Sequence, residues 1–328
     1  MEPLSVAVVG LGWWGRTVVP LLQSSSQLEV VCGVDVRAVE MPGLRVLSSY
    51  DEALRDPAVQ AVVLCTPHTQ HTEQIIAAAR AKKHVFWEKP LSLNRADVLR
   101  AVKACSENGV ALAVGHEKRF EPPVQELFRL AKAGELGTLL QIEANFSQDK
   151  FLSLAADNWR MSEAEAPAGP MTATGIHLLD LSIGLLGPAQ SVYAKVRQLG
   201  SRLTNGDTLG VFVSFKNGTN ALISAVLATP FDGRFAVYGN KGWAEVRDKA
   251  HPEAPEGWNL TVTKRNSPAQ TIAFPPAKAV LANLEAFADA AAARAPYPVP
   301  HDQMIANVSA LEAVFRSVKS GMVEPVEN

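Results

Sequence analysis

The sequence predicts an α/β chain with two domains: an N-terminal doubly wound domain of parallel strands, and a C-terminal α+β domain built on a large, mostly antiparallel, open-faced sheet. Three observations predict this class. Short apolar runs alternate with helical patterns over the first part of the chain, a glycine-rich turn follows the first run, and longer alternating strands appear after Pro122-Pro123. Since a domain takes roughly 100–200 residues, the 328 residues suffice for two, which we place at 1–121 and 122–328.

The strands of the first domain are expected to be covered by helices on both faces, because their apolar runs are not interrupted by polar residues. The strand candidates are residues 6–10, 28–35, 59–67, 83–90 and 110–116. The helix candidates between them, at residues 17–25, 70–82 and 94–109, carry apolar residues near helical spacing, and the last one ends on a glycine.

The second domain begins with a helix at residues 124–134 and continues into strands that alternate apolar and polar residues. Such alternation indicates an antiparallel sheet with one face buried in its own domain. We expect a partner subunit to cover the other face, in a homodimer or homotetramer. The strand candidates are residues 138–147, 191–199, 208–218, 219–228 and 234–248. Two helices, 279–295 and 302–321, follow, and the last is a candidate to pack back on the first domain.

The charge balance favours a small-molecule partner over nucleic acid or a membrane. The chain has 31 basic and 33 acidic residues, so its net charge is −2 and gives no attraction to phosphate backbones or anionic lipids. The N-terminus enters a strand directly, and we find no run of about 18 apolar residues that would span a bilayer. We therefore expect a cytoplasmic protein in which Cys32, Cys65 and Cys105 stay reduced.

The first strand runs into three glycines, Gly10, Gly12 and Gly15, in the pattern of a dinucleotide-binding turn. The context supports this interpretation, because the pattern follows a strand, begins a helix and is followed after about 20 residues by an acidic residue. Gly10 permits the tight turn, Gly12 lets the backbone approach a diphosphate, and Gly15 allows close helix packing. Asp35 ends the second strand run, where its carboxylate would bind a ribose hydroxyl. The sequence therefore predicts a Rossmann domain.

The choice between NAD and NADP depends on the residues after the second strand. The carboxylate of Asp35 repels a 2′-phosphate and favours NAD, whereas Arg37 is close enough in sequence to bind that phosphate, so NADP stays possible. Trp13 and Trp14 are candidates to line the cofactor, and packing of large apolar rings explains them equally well.

Two short segments follow predicted strands and are candidates for the active site, because open α/β sheets bind ligands beyond the carboxyl ends of their strands. They are Thr66-Pro67-His68-Thr69-Gln70-His71 and Glu88-Lys89-Pro90. Together with the glycine turn they resemble the Gfo/Idh/MocA oxidoreductases over nearly the whole chain. The likeness extends to Gly115 with Arg119-Phe120 and Pro122, to Trp159-Arg160, to Gly175-Ile176-His177-Leu178-Leu179-Asp180, and to Ala310, Ser317 and Gly321 in the last helix.

The resemblance implies an NAD(P)-dependent dehydrogenase or reductase that acts on a CH–OH group of a sugar, cyclitol or related hydroxylated ring compound. Lys89 would move the proton while hydride passes to or from the nicotinamide, and burial and the positive nicotinamide ring would lower its pKa. His177 is the second catalytic candidate. The implied cofactor-binding residues include Thr66, Pro67, His71, Glu88 and Lys89, and the implied substrate-binding residues are Lys89, His116, Arg119, Trp159, Arg160, Thr174 and His177.

One position departs from the resemblance. The family places an aspartate four residues before the histidine as its partner in proton transfer, and here that residue is Ala173. Three interpretations stay open: Lys89 and His177 suffice, another side chain such as His116 or His68 compensates, or the reaction differs from simple polyol oxidation. Lys150, Arg119 and Arg160 are cations that would suit a substrate carboxylate, or structural ion pairs.

Two alternative functions also stay open. One is an NAD-dependent glycoside-cleaving enzyme of the same fold, and the other is a non-catalytic NAD(P)-binding sensor. No metal site is expected, because His68 and His71 are not accompanied by nearby cysteine or acidic ligands.

Overall fold

A computed structural model describes residues 2–327 and divides the chain into two compact units. Unit 1 consists of the chain up to Glu117 together with Val280–Met304, and unit 2 of Lys118–Ala279 together with the chain from Ile305 onward. The segment that returns to unit 1 is therefore 280–304, whereas most of the last helix belongs to unit 2. This differs from the continuous division at residues 121 and 122 that the change of pattern suggested.

The helices, in chain order, are α1 (Trp13–Gln23), α2 (Tyr50–Arg55), α3 (His71–Arg80), α4 (Arg95–Asn108), α5 (Pro122–Lys132), α6 (Ile176–Leu186), α7 (Ala279–Ala291) and α8 (His301–Ser320). Across residues 2–327, none of the helices is both long enough and apolar enough to cross a bilayer.

Unit 1 contains a six-stranded parallel sheet. Its strands are β1 (Leu4–Val9), β2 (Leu28–Val34), β3 (Val46–Leu47), β4 (Ala61–Leu64), β5 (His84–Trp87) and β6 (Leu112–Val114). They lie in the order β3-β2-β1-β4-β5-β6, which confirms the predicted doubly wound arrangement. The strand order reverses between β1 and β4, and this is where such sheets bind ligands.

The core of unit 1 is formed by the apolar strands together with α1 and α7. Val6, Val8 and Val63 are fully buried in it, and Phe287 of α7 packs against Phe86 of β5 with the ring centroids 5.8 Å apart. Helix α3 contacts α4, β4 and β5. Residues 280–291 thus complete a core that the first 117 residues begin.

Three local features of unit 1 differ from the sequence prediction. Helix α1 begins at Trp13 instead of residue 17, because Gly12 precedes it as N-cap and offers no side-chain signal for a helix start. Helix α2 has six residues and β3 has two, and neither was predicted. Elements this short do not complete the repeat on which periodicity depends.

Unit 2 contains a nine-stranded sheet, made of β7 (Leu139–Ser147), β8 (Ala189–Arg197), β9 (Thr208–Phe215), β10 (Asn220–Val226), β11 (Asp232–Gly239), β12 (Gly242–Asp248), β13 (Trp258–Lys264), β14 (Gln270–Phe274) and β15 (Glu324–Pro325). The order is β14-β13-β12-β11-β7-β10-β9-β8-β15. Strands β7 and β10 pair in parallel and the other neighbours pair antiparallel, as a mostly antiparallel sheet requires.

Helices α5, α6 and α8 bury one face of this sheet in a single apolar core. The segment 234–248, predicted as one strand, is a hairpin of β11 and β12 that turns at Asn240-Lys241. Strands β13 and β14 were not predicted, although residues 258–263 alternate between apolar and polar side chains; β13 pairs with β12, and β14 pairs with β13 at the edge of the sheet. Alternation therefore located most of the sheet but not its outer edge.

Candidate active site

The glycine turn between β1 and α1 lies at the point where the strand order of unit 1 reverses. Gly10 has a φ of +89°, and a Cβ there would lie 2.9 Å from the carbonyl of Cys65. A Cβ on Gly15 would lie 2.0 Å from the Gly10 carbonyl oxygen, whereas a Cβ on Gly12 would meet nothing within 4 Å. Packing therefore requires glycine at positions 10 and 15, whereas the space beside Gly12 is open.

This turn fits the diphosphate of a dinucleotide. Gly12 is the N-cap of α1 and has no side chain to bond the N–H groups of the first helical turn, and that turn carries no acidic residue. Such N–H groups, together with the positive end of the helix dipole, bind phosphate oxygens. The structure thus places an anion-binding helix N-terminus beside open space at the switch point.

Asp35 follows β2 and ties the glycine turn to that strand. Its carboxylate accepts hydrogen bonds from the Leu11 backbone N–H at 2.9 Å and from the Arg37 backbone N–H at 3.0 Å, and pairs with the Arg37 guanidinium at 3.1 Å. Burial alone would raise the pKa of Asp35, but the hydrogen bonds from Arg37 and Leu11 outweigh it and hold the pKa below its usual value. Asp35 is buried and ionised, whereas the Arg37 side chain is 70% exposed.

The segments after β4 and β5 are joined by the imidazole of His71. Its Nε2 lies 2.9 Å from the carbonyl oxygen of Thr66, and its Nδ1 lies 3.1 Å from the carbonyl oxygen of Pro90. The ring is fully buried and packs near the Trp87 indole, at 6.1 Å between centroids. The two motifs that the sequence singled out, Thr66-Pro67 and Glu88-Lys89-Pro90, therefore form one cluster at the carboxyl edge of the sheet.

Glu88 is a perturbed acid in this cluster. Its carboxyl group packs against Gly115 so closely that a Cβ there would lie 2.6 Å from Oε2. Burial, with repulsion from Glu117, raises the pKa of Glu88 to about 7, and the nearby indole of Trp14 and the charge of Lys89 offset part of the rise. Glu88 therefore keeps its proton to a higher pH than an exposed glutamate does.

The other candidates of unit 1 lie at the same edge. Lys89 is the second residue after β5 and is half-buried, and its peptide bond to Pro90 is cis. His116 is the second residue after β6, and His68 lies in a short 3₁₀ turn after β4; both are buried. Trp13, in contrast, is 45% exposed at the start of α1.

In unit 2, His177 lies in the first turn of α6, directly after a π-helical turn over Met171–Gly175. The hydroxyl of Thr174 in that turn donates to the Phe146 carbonyl oxygen at 2.8 Å, which fixes the turn to the end of β7. Ala173 packs against an apolar cluster. That cluster contains Phe151, Leu154, Met161, Leu203 and Leu227. The position where an aspartate was expected is therefore apolar.

An aromatic cluster, which we define as Phe146, Phe231, His177 and His251, lies at this end of the sheet. The Phe146 ring centroid is 6.1 Å from that of His177, 5.9 Å from that of His251 and 6.0 Å from that of Phe231. Sequence reasoning missed His251, because a single histidine in a proline-containing loop belongs to no motif and no periodic pattern.

Several predicted cations of unit 2 are engaged by neighbouring side chains. Arg119 donates to both carboxylate oxygens of Asp180, at 2.6 and 2.8 Å, and both side chains are buried. Arg160 stacks over the Trp159 ring at 4.3 Å. Lys150 pairs with Glu253 at 2.7 Å. These contacts join α6 to the 3₁₀ turn before α5 and order the loops above the sheet.

Lys118 was not among the predicted site residues and is buried between two carboxylates. It lies 3.1 Å from Glu121 and 3.0 Å from Asp248, and its ammonium lies 5.1 Å from the Phe146 ring centroid. Burial opposes its charge, but the two carboxylates outweigh burial and raise the pKa of Lys118 well above its usual value. Among the described residues, no three histidine, cysteine or acidic side chains form a metal-binding group.

Two family models match this chain. One describes an oxidoreductase family with an NAD-binding Rossmann fold and matches residues 4–116, and the other describes a GFO/IDH/MocA C-terminal domain and matches residues 124–245. The myo-inositol 2-dehydrogenase of Thermotoga maritima is 30% identical over 255 residues, which cover 73% of this chain and 74% of the relative. The uncharacterized oxidoreductase YrbE of Bacillus subtilis is 28% identical over 271 residues, covering 78% and 76%.

A solved structure shows the same fold. GenD2 from gentamicin A biosynthesis, solved in complex with NAD, is 25% identical and has a TM-score of 0.85, with 100% of this chain and 97% of GenD2 covered.

Proposed function

Because this chain belongs to the GFO/IDH/MocA family and is an NAD(P)-dependent oxidoreductase, we propose that it transfers hydride between the nicotinamide and a secondary alcohol, or the matching ketone, of a sugar, cyclitol or related hydroxylated ring compound. The observation that carries the proposal is the position of Lys89. It follows β5 at the sheet edge that also carries the glycine turn, in a segment joined through His71 to the residues after β4. A basic side chain held there supports proton transfer next to a bound dinucleotide.

Unit 1 is proposed to bind the dinucleotide and unit 2 the substrate. The turn of Gly10, Gly12 and Gly15 and the N-terminus of α1 would hold the diphosphate, and Asp35 would accept a hydrogen bond from the adenosine ribose. When bound, the nicotinamide accepts or supplies the hydride. The segments around Thr66-Pro67 and Glu88-Lys89 are proposed to line the cofactor.

Lys89 is proposed to take the proton from the substrate hydroxyl during oxidation and to return it during reduction. In unit 2, His177 is proposed as a second acid–base or orienting group. The π-helical turn before it supports this role, because irregular turns of this kind occur frequently at functional sites. Since Ala173 lies in an apolar cluster, no carboxylate at that position assists His177.

The test is a substrate panel followed by one substitution. Myo-inositol, scyllo-inositol, D-glucose and D-glucuronate are offered with NAD⁺ and NADP⁺, and turnover is followed at the nicotinamide absorbance band. With the best substrate, Lys89→Ala should lower kcat by roughly 10²–10⁴-fold and leave the Kd of NADH nearly unchanged. The control is Lys103→Ala, an exposed lysine on α4 of the same unit.

Two results would contradict the proposal. Turnover that survives Lys89→Ala excludes the lysine mechanism. NAD that stays bound through purification, together with glycoside cleavage and no net change at the nicotinamide band, favours the alternative enzyme class.

The outer face of the nine-stranded sheet is proposed to bind a second copy of the chain. Phe212 and Leu222, which lie opposite each other on β9 and β10, are 40% and 41% exposed. Tyr193 lies opposite Phe212 on β8. An apolar stripe on the uncovered face of a large sheet supports an isologous dimer or tetramer.

A further inference from the structure

Arg16 is the one charged residue of helix α1, and the proposed mechanism does not use it. The helix has the sequence WWGRTVVPLLQ, so no acidic side chain stands three or four positions from Arg16 to pair with it along the helix. Arg16 is the fourth helical residue, at the end of the first turn, and it is exposed. It is therefore an accessible cation next to the glycine turn of an NAD-binding Rossmann fold.

A hydrogen bond fixes the guanidinium of Arg16 toward the glycine turn. Its Nε donates to the carbonyl oxygen of Leu11 at 3.1 Å. Leu11 lies between Gly10 and Gly12, and its own N–H donates to the carboxylate of Asp35 at 2.9 Å. This direction is the usual one, because side chains on a helix point toward its N-terminus. Arg16 is thus held against the backbone of the turn and does not extend away from it.

The rest of the guanidinium is available to a ligand. Within residues 2–327, Nη1 and Nη2 of Arg16 make no hydrogen bond or ion pair. These two groups carry four N–H donors in a planar fork, which matches the oxygens of a phosphate. The space beside Gly12 is open, since a Cβ there would meet nothing within 4 Å. A fixed cation therefore presents its donors at a turn that has room for a ligand.

The charge of Arg16 is unfavourable for the helix unless an anion is bound. The N-terminus of α1 is the positive end of the helix dipole, and its first turn contains no acidic residue. A cation in that turn is repelled by the helix end, where an acidic side chain would stabilise the fold. A bound phosphate reverses the balance, because it attracts both the helix end and the guanidinium. The charge pattern thus favours a ligand-binding role over a purely structural one.

We propose that Arg16 is a cofactor-binding residue whose Nη groups bind the diphosphate of the dinucleotide, in addition to the backbone N–H groups at the start of α1. The inference rests on the cofactor site proposed for unit 1, and it is independent of Lys89, of His177 and of the substrate. It means that one side-chain charge supplies part of the affinity for the dinucleotide.

The test measures equilibrium binding to the 328-residue chain, with no turnover. NADH is titrated by its fluorescence, and ADP and adenosine are titrated as competitors. Arg16→Met keeps much of the length of the side chain but removes its charge and donors. It should raise the Kd of NADH and of ADP at least tenfold, by roughly the worth of a hydrogen bond to a charged group. The Kd of adenosine, which has no phosphate, should change less than about twofold.

Two further variants control for charge and geometry. Arg16→Lys keeps the positive charge but not the planar fork, and should recover only part of the lost affinity. Arg80→Met removes an exposed arginine from the last turn of α3 in the same unit, and should leave all three Kd values unchanged.

The stability of the nucleotide-free protein separates ligand binding from a structural role. Arg16→Met should melt at the wild-type temperature or slightly above it, because the substitution removes a cation from the positive end of α1. A melting temperature lower by about 3 °C or more, with ADP and adenosine weakened equally, would identify the bond to Leu11 as a structural tie and overturn the proposal.

The remaining outcomes distinguish this inference from the proposed function. Unchanged affinity for NADH and ADP in Arg16→Met, with a wild type that binds both, overturns the role of Arg16 alone. A Kd of NADPH that rises at least tenfold more than that of NADH places the guanidinium at the 2′-phosphate and overturns the assignment to the diphosphate. A wild-type chain that binds neither NADH nor NADPH overturns the proposed function itself.

Discussion

Replacing Glu88 with glutamine should stabilise unit 1 in alkaline solution and have little effect in acid. The pKa of Glu88 rises from 4.5 to about 7 on folding, mainly because its carboxyl group is buried beside Gly115 and Glu117. The folded protein therefore keeps this proton at pH values where the unfolded chain has lost it. Stability contributed at this site is greatest below about pH 4.5 and falls as the pH rises to about 7.

The size of the effect follows from the shift. From 4.5 to about 7 is 2.5 pKa units, and one unit is about 1.4 kcal/mol, so ionisation of Glu88 costs the folded state roughly 3 kcal/mol above pH 7. Most of this cost, roughly 2.5 kcal/mol, develops between pH 5 and pH 8. Because glutamine resembles the protonated acid in shape but does not ionise, Glu88→Gln should remove it.

The assay is urea unfolding of the cofactor-free protein at pH 5 and at pH 8, followed by tryptophan fluorescence. The gain in free energy of unfolding of Glu88→Gln over the wild type should be larger at pH 8 than at pH 5 by roughly 2.5 kcal/mol. Glu29→Gln, an exposed glutamate on β2, is the control and should show the same difference at both pH values within about 0.5 kcal/mol. An equal stability difference at pH 5 and pH 8 for Glu88→Gln would refute the argument.

Three further predictions concern the cofactor, the histidine site and the assembly. Asp35→Ser should reduce the preference for NADH over NADPH at least tenfold, about 1.4 kcal/mol. The reason is that it removes the charge that repels a 2′-phosphate and leaves Arg37 in place. A wild-type protein that prefers NADPH tenfold contradicts the assignment of Asp35. Ala173→Asp should lower the free energy of unfolding by about 1–3 kcal/mol at pH 8, because it places a charge in an apolar cluster. A higher kcat on polyols in this variant indicates that the site keeps the polyol mechanism, and a lower kcat indicates a site adapted to a different substrate. The double variant Phe212→Asp and Leu222→Asp should be monomeric by light scattering at micromolar concentration. A monomeric wild-type protein contradicts the proposed interface.

The sequence alone predicted the class of each sheet, parallel in the first domain and mostly antiparallel in the second, because each class depends on a local pattern. Strands covered on both faces read as continuous apolar runs, and strands covered on one face alternate. The glycine turn was equally readable, since Gly10 and Gly15 are demanded by contacts with backbone only a few residues away or at the neighbouring strand end. Some elements were missed: α2 is too short for a period, and β14 is a mostly exposed edge strand that pairs with β13. Strand β13 was missed although its residues alternate between apolar and polar.

The chemistry of the site depends more on tertiary structure. The motifs identified Lys89 and His177, but only the folded chain shows that His71 joins the segments after β4 and β5, that burial raises the pKa of Glu88 to about 7, and that Ala173 lies in an apolar cluster. His251 became visible only through its contacts with Lys150 and Phe146, which are about a hundred positions away in the sequence. Backbone pattern is fixed by neighbours along the chain, whereas desolvation, hydrogen-bond partners and charge depend on side chains that folding brings together from distant positions.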